Sequence, residues 1–183
     1  MTSQITYEMS GGKKLKVIAC VDDRNGMLFN HRRQSRDQAV TEKIQEICQG
    51  KILWMNEYSF SLYGNLEGVT VRCDKDFLIQ ADTGEFALTE TEDPVLYSDK
   101  TEELILFCWN RTYPAQLFMT LDLSGWKQVE ELEFEGNSHK KITLKKLCSI
   151  YKKQQKLKQE FKYFSEYDIR YEFLNCGKLC KTA

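Results

Sequence analysis

The sequence has little of the residues that interrupt folded chains or build special sites. Its 183 residues include only two prolines and two histidines. So little proline argues against a disordered or linker-rich chain. His31 and His139 lie far apart in the sequence, so neither a metal-binding spacing nor a catalytic-triad spacing can be read from them.

Long apolar runs and an excess of charge of one sign are also absent. No run is long enough to span a bilayer, and the first residues lack the basic start and apolar centre of a secretory signal. The net charge of −1 provides no basic field that would draw the chain onto nucleic acid or membrane. We therefore expect a cytoplasmic protein with no membrane segment and a single domain over residues 1–183.

The seven cysteines are odd in number and mostly lie in apolar segments, which predicts reduced core thiols. Only Cys176 and Cys180 are close together, and no histidine lies near them, so we expect no zinc site. Asp22, Asp23 and Asp122 would suit Mg²⁺ if their strands are neighbours. Turn capping is the favoured interpretation of Asp22 and Asp23.

What the chain does contain is an alternation of strand-length apolar segments with short helical segments. Strands are predicted at about 15–22, 51–55, 69–73, 103–109 and 117–123, with strands or a hairpin over 77–88. A helix capped by Ser35 is predicted to place Val40, Ile44 and Ile47 on one face and to end at Gln49-Gly50. The pattern favours an α/β domain with a mostly parallel central sheet.

The two ends of the chain depart from this alternation. Residues 1–15 are predicted to be a flexible or hairpin-like lead-in, and residues 126–135 fit neither period well. In residues 141–165 lysines alternate with apolar residues, which predicts an added amphipathic helix, a C-terminal helical insertion. An alternating strand is predicted over 167–174.

The first strand runs from Lys16 to Val21 and leads into Asp-Asp-Arg-Asn-Gly, a turn that would lie at the ligand end of a parallel sheet. This opening resembles the dihydrofolate reductase family. Further segments are similar to family motifs in the same order: Gly50–Met55, 107–113, Leu117–Thr120 and 134–138. The resemblance extends from Lys16 to Leu174 and implies a dihydrofolate-reductase-like fold.

The resemblance also implies where NADPH would bind and where this chain differs. Two glycines that let the family's backbone approach the pyrophosphate correspond to Cys108 and Trp109. The family's Gly-Arg-x-Thr turn, whose arginine binds the NADPH phosphate, reads Asn-Glu-Tyr-Ser here, so Glu57 replaces a cation. By position, Ser59, Trp109 and Thr120 are the residues that would face the cofactor.

A carboxylate at the start of the first helix orients and helps to protonate the pterin in the family, and Asp37 is its nearest equivalent. A partly buried carboxylate there would have the raised pKa that acid catalysis needs. The favoured alternative is that Asp37 lies in the first turn of the helix and interacts with the helix dipole.

Two basic segments are further candidate sites. Arg32, Arg33 and Arg36 form a loop suited to a phosphate, a nucleotide or an acidic partner, with a solvated loop as the favoured alternative. Residues 145–162 carry lysines with interleaved aromatics, a pattern found in nucleic-acid-binding segments. A solvated helix face is favoured there.

Three functions follow as hypotheses. The first is an NADPH-dependent reductase of dihydrofolate or a related heterocycle, with Asp37 as the proton-side carboxylate. The second, which we favour, is a divergent member of this fold that does not bind NADPH tightly and acts as a binding or interaction protein for a small molecule or a protein partner. The third is a nucleotide- or nucleic-acid-binding protein. Whether the chain is an enzyme stays open at this point.

Overall fold

A computed structural model describes residues 14–150, whose strands and helices alternate as the sequence predicts. In chain order they are β1 (Leu15–Val21), β2 (Gly26–Phe29), β3 (Arg32–Arg33), α1 (Gln38–Cys48), β4 (Ile52–Met55), α2 (Glu57–Tyr63), β5 (Thr70–Cys73), α3 (Phe77–Gln80), β6 (Phe86–Thr89), β7 (Thr101–Cys108), β8 (Leu117–Phe118), β9 (Trp126–Phe134) and β10 (Ile142–Ser149).

The main sheet of the described residues has seven strands in the order β5-β4-β6-β1-β7-β10-β9. Strand β1 is parallel to β6 and β7, and β4 is parallel to β5 and β6, whereas β10 is antiparallel to β7. Strands β3, β2 and β8 form a small second sheet. The predicted mixed α/β fold with a mostly parallel central sheet is therefore confirmed.

Strand β1 is buried on both faces, as expected for a central parallel strand. Its alternate residues join two different core clusters: Ile18 and Cys20 pack on the side of α1, and Val17 and Ala19 pack on the side of α3. Because the strands beside β1 run parallel to it, Asp22, Glu90 and Trp109, which follow β1, β6 and β7, lie at the same edge of the sheet.

Helix α1 buries Val40, Ile44 and Cys48 on one face, so its predicted amphipathic pattern is correct. Its N-cap is Asp37, whose side chain accepts a hydrogen bond from the Ala39 backbone N–H. The predicted cap at Ser35 is therefore wrong by two positions, since a shared carboxylate replaces a hydroxyl in this role.

Three segments take a different secondary structure from the one predicted. Of the strand predicted over 117–123 only Leu117–Phe118 is a strand, and a 3₁₀ turn begins at Leu123. Residues Phe77–Gln80 form a helical turn, in which Phe77 and Leu78 are buried, because a four-residue apolar run does not distinguish strand from helix. Residues Ile142–Ser149 form β10, so the helix predicted over 141–165 is wrong in this part. Ile142, Leu144 and Leu147 are buried there, at spacings of two and three positions, and the lysines between the two leucines pair with glutamates of β9.

The predictions for residues 1–13 and 151–183 lie outside the described residues; they concern the lead-in, the remaining helical segment, the last strand and Cys176 with Cys180. The chain divides into a unit that ends at Cys148 and a unit over Ser149–Ala183, so the single domain over 1–183 stays a prediction. Within residues 14–150, no helix is long and apolar enough to cross a membrane.

Candidate functional site

Asp37 is buried at the start of α1 and accepts hydrogen bonds from two directions. From α1 it accepts the Ala39 N–H at 3.0 Å. From the turn before β10 it accepts the backbone N–H groups of Asn137 and Ser138 at 2.9 and 2.7 Å and the Ser138 hydroxyl at 2.8 Å. Nδ1 of His139 lies 3.1 Å from Oδ2 of Asp37. One carboxylate thus joins the first helix to a turn about a hundred residues later in the chain.

This environment sets the charge state of Asp37. Burial alone would raise the pKa of the carboxyl, but the hydrogen bonds from Ser138, Asn137 and His139 outweigh burial and hold the pKa well below its usual range. The raised pKa that the acid-catalysis hypothesis needs is therefore contradicted, because the carboxylate has several N–H and O–H donors rather than an apolar surrounding. Asp37 is a hydrogen-bond acceptor at neutral pH.

His139 connects Asp37 to further polar groups. Its Nε2 lies 2.9 Å from the Tyr113 hydroxyl and 3.3 Å from Oγ of Ser35. The imidazole is buried and stacks on the indole of Trp109, with ring centroids 4.8 Å apart. Sequence reasoning missed His139 because its partners come from three distant segments of the chain.

Trp109 and Thr120, two of the residues predicted to face the cofactor, lie apart from each other. Trp109 is 3% exposed and its indole covers His139. Thr120 is exposed, and its backbone N–H and hydroxyl both bond to the Asp93 carboxylate. The structure therefore gives each residue a protein partner and does not bring them to one groove.

Ser59 and Arg33 both contact the carboxylate of Glu90, a residue that the sequence analysis did not single out. Glu90, directly after β6, is 5% exposed. It accepts a hydrogen bond from the Ser59 hydroxyl at 2.8 Å and pairs with the Arg33 guanidinium at 3.3 Å. Burial raises the pKa of Glu90, and the Arg33 charge and the Ser59 hydrogen bond oppose that rise. Glu90 thus joins the end of β6 to β3 and α2.

Aromatic rings hold the Arg33 side chain in place. Its guanidinium lies 4.8 Å from the ring centre of Tyr58 and 5.8 Å from that of Tyr63. The Arg33 backbone N–H also donates to the Tyr58 hydroxyl at 2.6 Å. The charge of Glu90 and the hydrogen bond to Tyr58 raise the pKa of Arg33 despite its burial. Arg33 is thus a fixed cation with an internal counter-charge.

The other two arginines of the predicted anion loop are exposed. Within residues 14–150 no carboxylate pairs with Arg32 or Arg36. Both border a cleft of about 580 Å³, which we call the arginine cleft; it is lined by Arg32, Arg33, Ser35, Arg36, Tyr58, Ser61 and Leu62. None of the described residues that line this cleft is acidic.

A second cleft of about 600 Å³ lies beside the start of α2. We call it the acidic cleft; it is lined by Asn56, Glu57, Tyr58, Phe60, Cys73, Asp74, Lys75 and Thr91. Glu57 and Asp74 contribute two negative charges, against one positive charge from Lys75. The segment in which the reductase resemblance places the phosphate-binding turn therefore has the opposite sign of charge.

Asp22 acts as the sequence favoured, by capping its turn. Oδ1 accepts the N–H groups of Arg24 and Gly26 at 2.8 and 2.7 Å, and Oδ2 accepts the Tyr113 N–H at 2.9 Å. These bonds outweigh burial and lower the pKa of Asp22. Among residues 14–150, histidine, cysteine and acidic side chains form no group of three or more that is placed to hold a metal ion.

Comparison with known proteins supports the fold and goes no further. No family model and no curated protein matches the sequence. The structure is similar to that of dihydrofolate reductase from Enterococcus faecalis complexed with NADP(H) and RAB-propyl, with a TM-score of 0.55 and 12% sequence identity. The match covers 74% of this chain and 96% of the reductase. The chain therefore has a dihydrofolate-reductase-like fold.

Proposed function

We propose that this chain is a divergent protein of dihydrofolate-reductase-like fold that does not hold NADPH tightly and acts as a binding protein for a small anionic molecule. The observation that carries the proposal is the arginine cleft. Within residues 14–150 it presents two exposed guanidinium groups that pair with no carboxylate, those of Arg32 and Arg36, and its lining includes no acidic residue. Guanidinium groups bind carboxylates and phosphates through paired hydrogen bonds.

The residues in the segments expected to hold NADPH fit the cofactor poorly. The Ser59 hydroxyl donates to Glu90 and is buried, so it is not free to donate to a phosphate. Glu57 and Asp74 in the acidic cleft would repel a phosphate. Trp109 fills space over His139 where the resemblance expects a glycine.

Calorimetric titration tests both parts of the proposal. We expect pyrophosphate to bind the full chain with a dissociation constant that rises about tenfold in Arg32→Ala and in Arg36→Ala, the loss of one charge-assisted contact each. Arg111→Ala removes an exposed arginine away from the cleft and should leave the constant unchanged. We expect no saturation by NADPH in the micromolar range; micromolar NADPH binding would contradict the proposal.

A reductase is the second candidate, and the position of Asp37 at the start of α1 in this fold favours it. It requires NADPH consumption on addition of dihydrofolate, with loss of the rate in Asp37→Asn. If no NADPH consumption depended on Asp37, the reductase candidate would be dismissed.

The nucleic-acid hypothesis has less support from the described residues. Lys145 and Lys146 of β10 lie near Glu131 and Glu130 of β9, at 3.9 and 2.7 Å, and these carboxylates offset their charges. Retention on heparin at physiological salt would favour this third function over the other two.

A further inference from the structure

Ser35, His139 and Asp37 stand in the order of a nucleophile, a base and an orienting carboxylate. Oγ of Ser35 lies 3.3 Å from Nε2 of His139, and Nδ1 of the same ring lies 3.1 Å from Oδ2 of Asp37. We propose that these three residues form a hydrolytic triad for an ester whose acyl group carries a negative charge. The anionic substrate class rests on the proposed function of the arginine cleft.

The hydrogen bonds around the ring favour the required tautomer. The Asp37 carboxylate can only accept hydrogen bonds. The other groups close to that carboxylate, which include the Ser138 hydroxyl, donate to it. The proton of a neutral His139 ring therefore belongs on Nδ1, which leaves the Nε2 lone pair directed to the hydroxyl side. Stacking on Trp109 fixes the plane of the ring. Asp37 is thus a positioning residue for His139.

Tyr113 competes with Ser35 for the same lone pair. Its hydroxyl is 2.9 Å from Nε2, closer than the hydroxyl of Ser35. A distance of 3.3 Å between nucleophile and base is compatible with a site that tightens when substrate binds. Removal of the Tyr113 hydroxyl should therefore make Ser35 more reactive, which a purely structural network would not do.

Ser35 is accessible because it lines the arginine cleft, whereas His139 and Asp37 lie buried behind it. Within the described residues no protein group accepts from the backbone N–H of Ser35 or of Arg36. Such N–H groups can stabilise the oxyanion of an acyl-transfer intermediate. Arg32 and Arg36 would attract the negative charge of the acyl group.

The reaction needs only water as a co-reactant. Oγ of Ser35 bonds to the ester carbonyl carbon while Nε2 of His139 takes the hydroxyl proton. The bond from that carbon to the alcohol oxygen then breaks, and the alcohol leaves with the proton from Nε2. Water, activated by the same nitrogen, attacks the acyl-serine, releases the carboxylic acid and restores the Ser35 hydroxyl.

A fluorophosphonate probe tests the triad on the full chain without need of the substrate, because it replaces its P–F bond by a bond to an activated serine oxygen. Mass spectrometry should locate the adduct on Ser35. Labelling should fall at least about a hundredfold in Ser35→Ala, His139→Gln and Asp37→Asn, and rise in Tyr113→Phe. Ser124→Ala, at an exposed serine bonded to Asp122, is the matched control.

The melting temperature of each variant shows whether a loss of labelling reflects a loss of serine reactivity or a failure to fold. The triad is overturned if folded wild-type protein forms no adduct, or if His139→Gln leaves the rate of adduct formation unchanged. Hydrolysis of 4-nitrophenyl hemisuccinate, but not of neutral 4-nitrophenyl acetate, should slow in Arg36→Ala; equal slowing overturns the substrate class. Pyrophosphate binding without an adduct refutes this inference alone, whereas an adduct without pyrophosphate binding supports the triad and refutes the anion-binding function.

Discussion

At the scale of single residues, the described part of the chain places three carboxylates at one edge of the sheet and treats them differently. Asp22 and Asp37 accept several N–H groups, and these hydrogen bonds lower the pKa of both carboxyls. Glu90 is buried with one hydroxyl donor and one guanidinium partner, and its pKa is raised. Hydrogen bonds outweigh burial and lower the pKa of Asp22 and Asp37, whereas burial outweighs the two partners of Glu90 and raises its pKa.

Glu90→Gln should destabilise the protein by about 3 kcal/mol, because it leaves the half-buried Arg33 guanidinium without its counter-charge. The free energy of unfolding from urea titration measures the loss. Glu103→Gln is the control: Glu103 pairs with Lys16 at 3.0 Å in a more exposed position, so we expect a loss below about 1 kcal/mol. Equal losses in the two variants would contradict a special role for the buried pair.

Asp37→Asn should reduce stability in a way that depends on pH. Asparagine still caps a helix, but it loses the charge that strengthens the hydrogen bonds from Ser138 and His139, so we expect a cost of about 2 kcal/mol at pH 7. Because the folded-state pKa of Asp37 lies below its ordinary value of 3.8, this stability is present above about pH 4 and is lost as the pH falls below it. Urea titrations at neutral pH and near pH 3 should therefore show a smaller difference between variant and wild type at the lower pH.

At the scale of elements, the turn from Gly136 to His139 is the piece that completes the site. The Gly136 N–H donates to the His139 carbonyl at 2.8 Å, which closes the turn. Two N–H groups of the turn then reach Asp37. The start of α1 and the start of β10 are therefore held together by one carboxylate.

Gly136→Ala should disturb this turn. An added Cβ would lie 2.5 Å from Oδ2 of Asp37 and 2.7 Å from Cδ1 of Ile142, so either the carboxylate or the core must move. We expect a loss of about 2 kcal/mol by urea titration, within the range for overpacking. Gly84→Asn, at a glycine with φ of 82° and open space around it, should cost much less, since asparagine tolerates this backbone region. If Gly136→Ala left the free energy of unfolding unchanged, Asp37 would not be held as tightly as its contacts indicate.

The length and pattern of each element decide whether the sequence could predict it. Helix α1 is recognisable because its apolar period extends over more than two turns, and strand β1 because six of its seven residues are buried. Helix α3 has four residues and β10 has apolar residues at both strand-like and helix-like spacings, so local pattern misassigns both. The candidate site is still harder to predict from the sequence, because Ser35, Tyr113 and His139 come together only in the tertiary fold.

At the scale of the whole molecule, a near-neutral net charge conceals a local separation of charge. Among the described residues, the arginine cleft carries Arg32 and Arg36 without a carboxylate partner, and the acidic cleft carries Glu57 and Asp74. Motif order alone suggested the shared fold, and the structural likeness to the reductase supports that fold. The partners of Ser59 and Arg33 were invisible to the sequence, because Glu90 lies in a segment with no motif.

The cysteines report on whether this whole fold opens as one unit. Cys20 and Cys48 belong to the same core cluster, and burial raises the pKa of both thiols, to about 12 for Cys48, whereas Cys73 is exposed. Since the thiolate is the reactive form, iodoacetamide at pH 8 should modify Cys73 in the folded protein and reach Cys20 and Cys48 only through global unfolding. Peptide mass spectrometry over a urea series should then give one common midpoint for Cys20 and Cys48, equal to that of the circular-dichroism transition. Earlier labelling of Cys48 would show that α1 opens before the sheet and would separate the Asp37 site from the rest of the core.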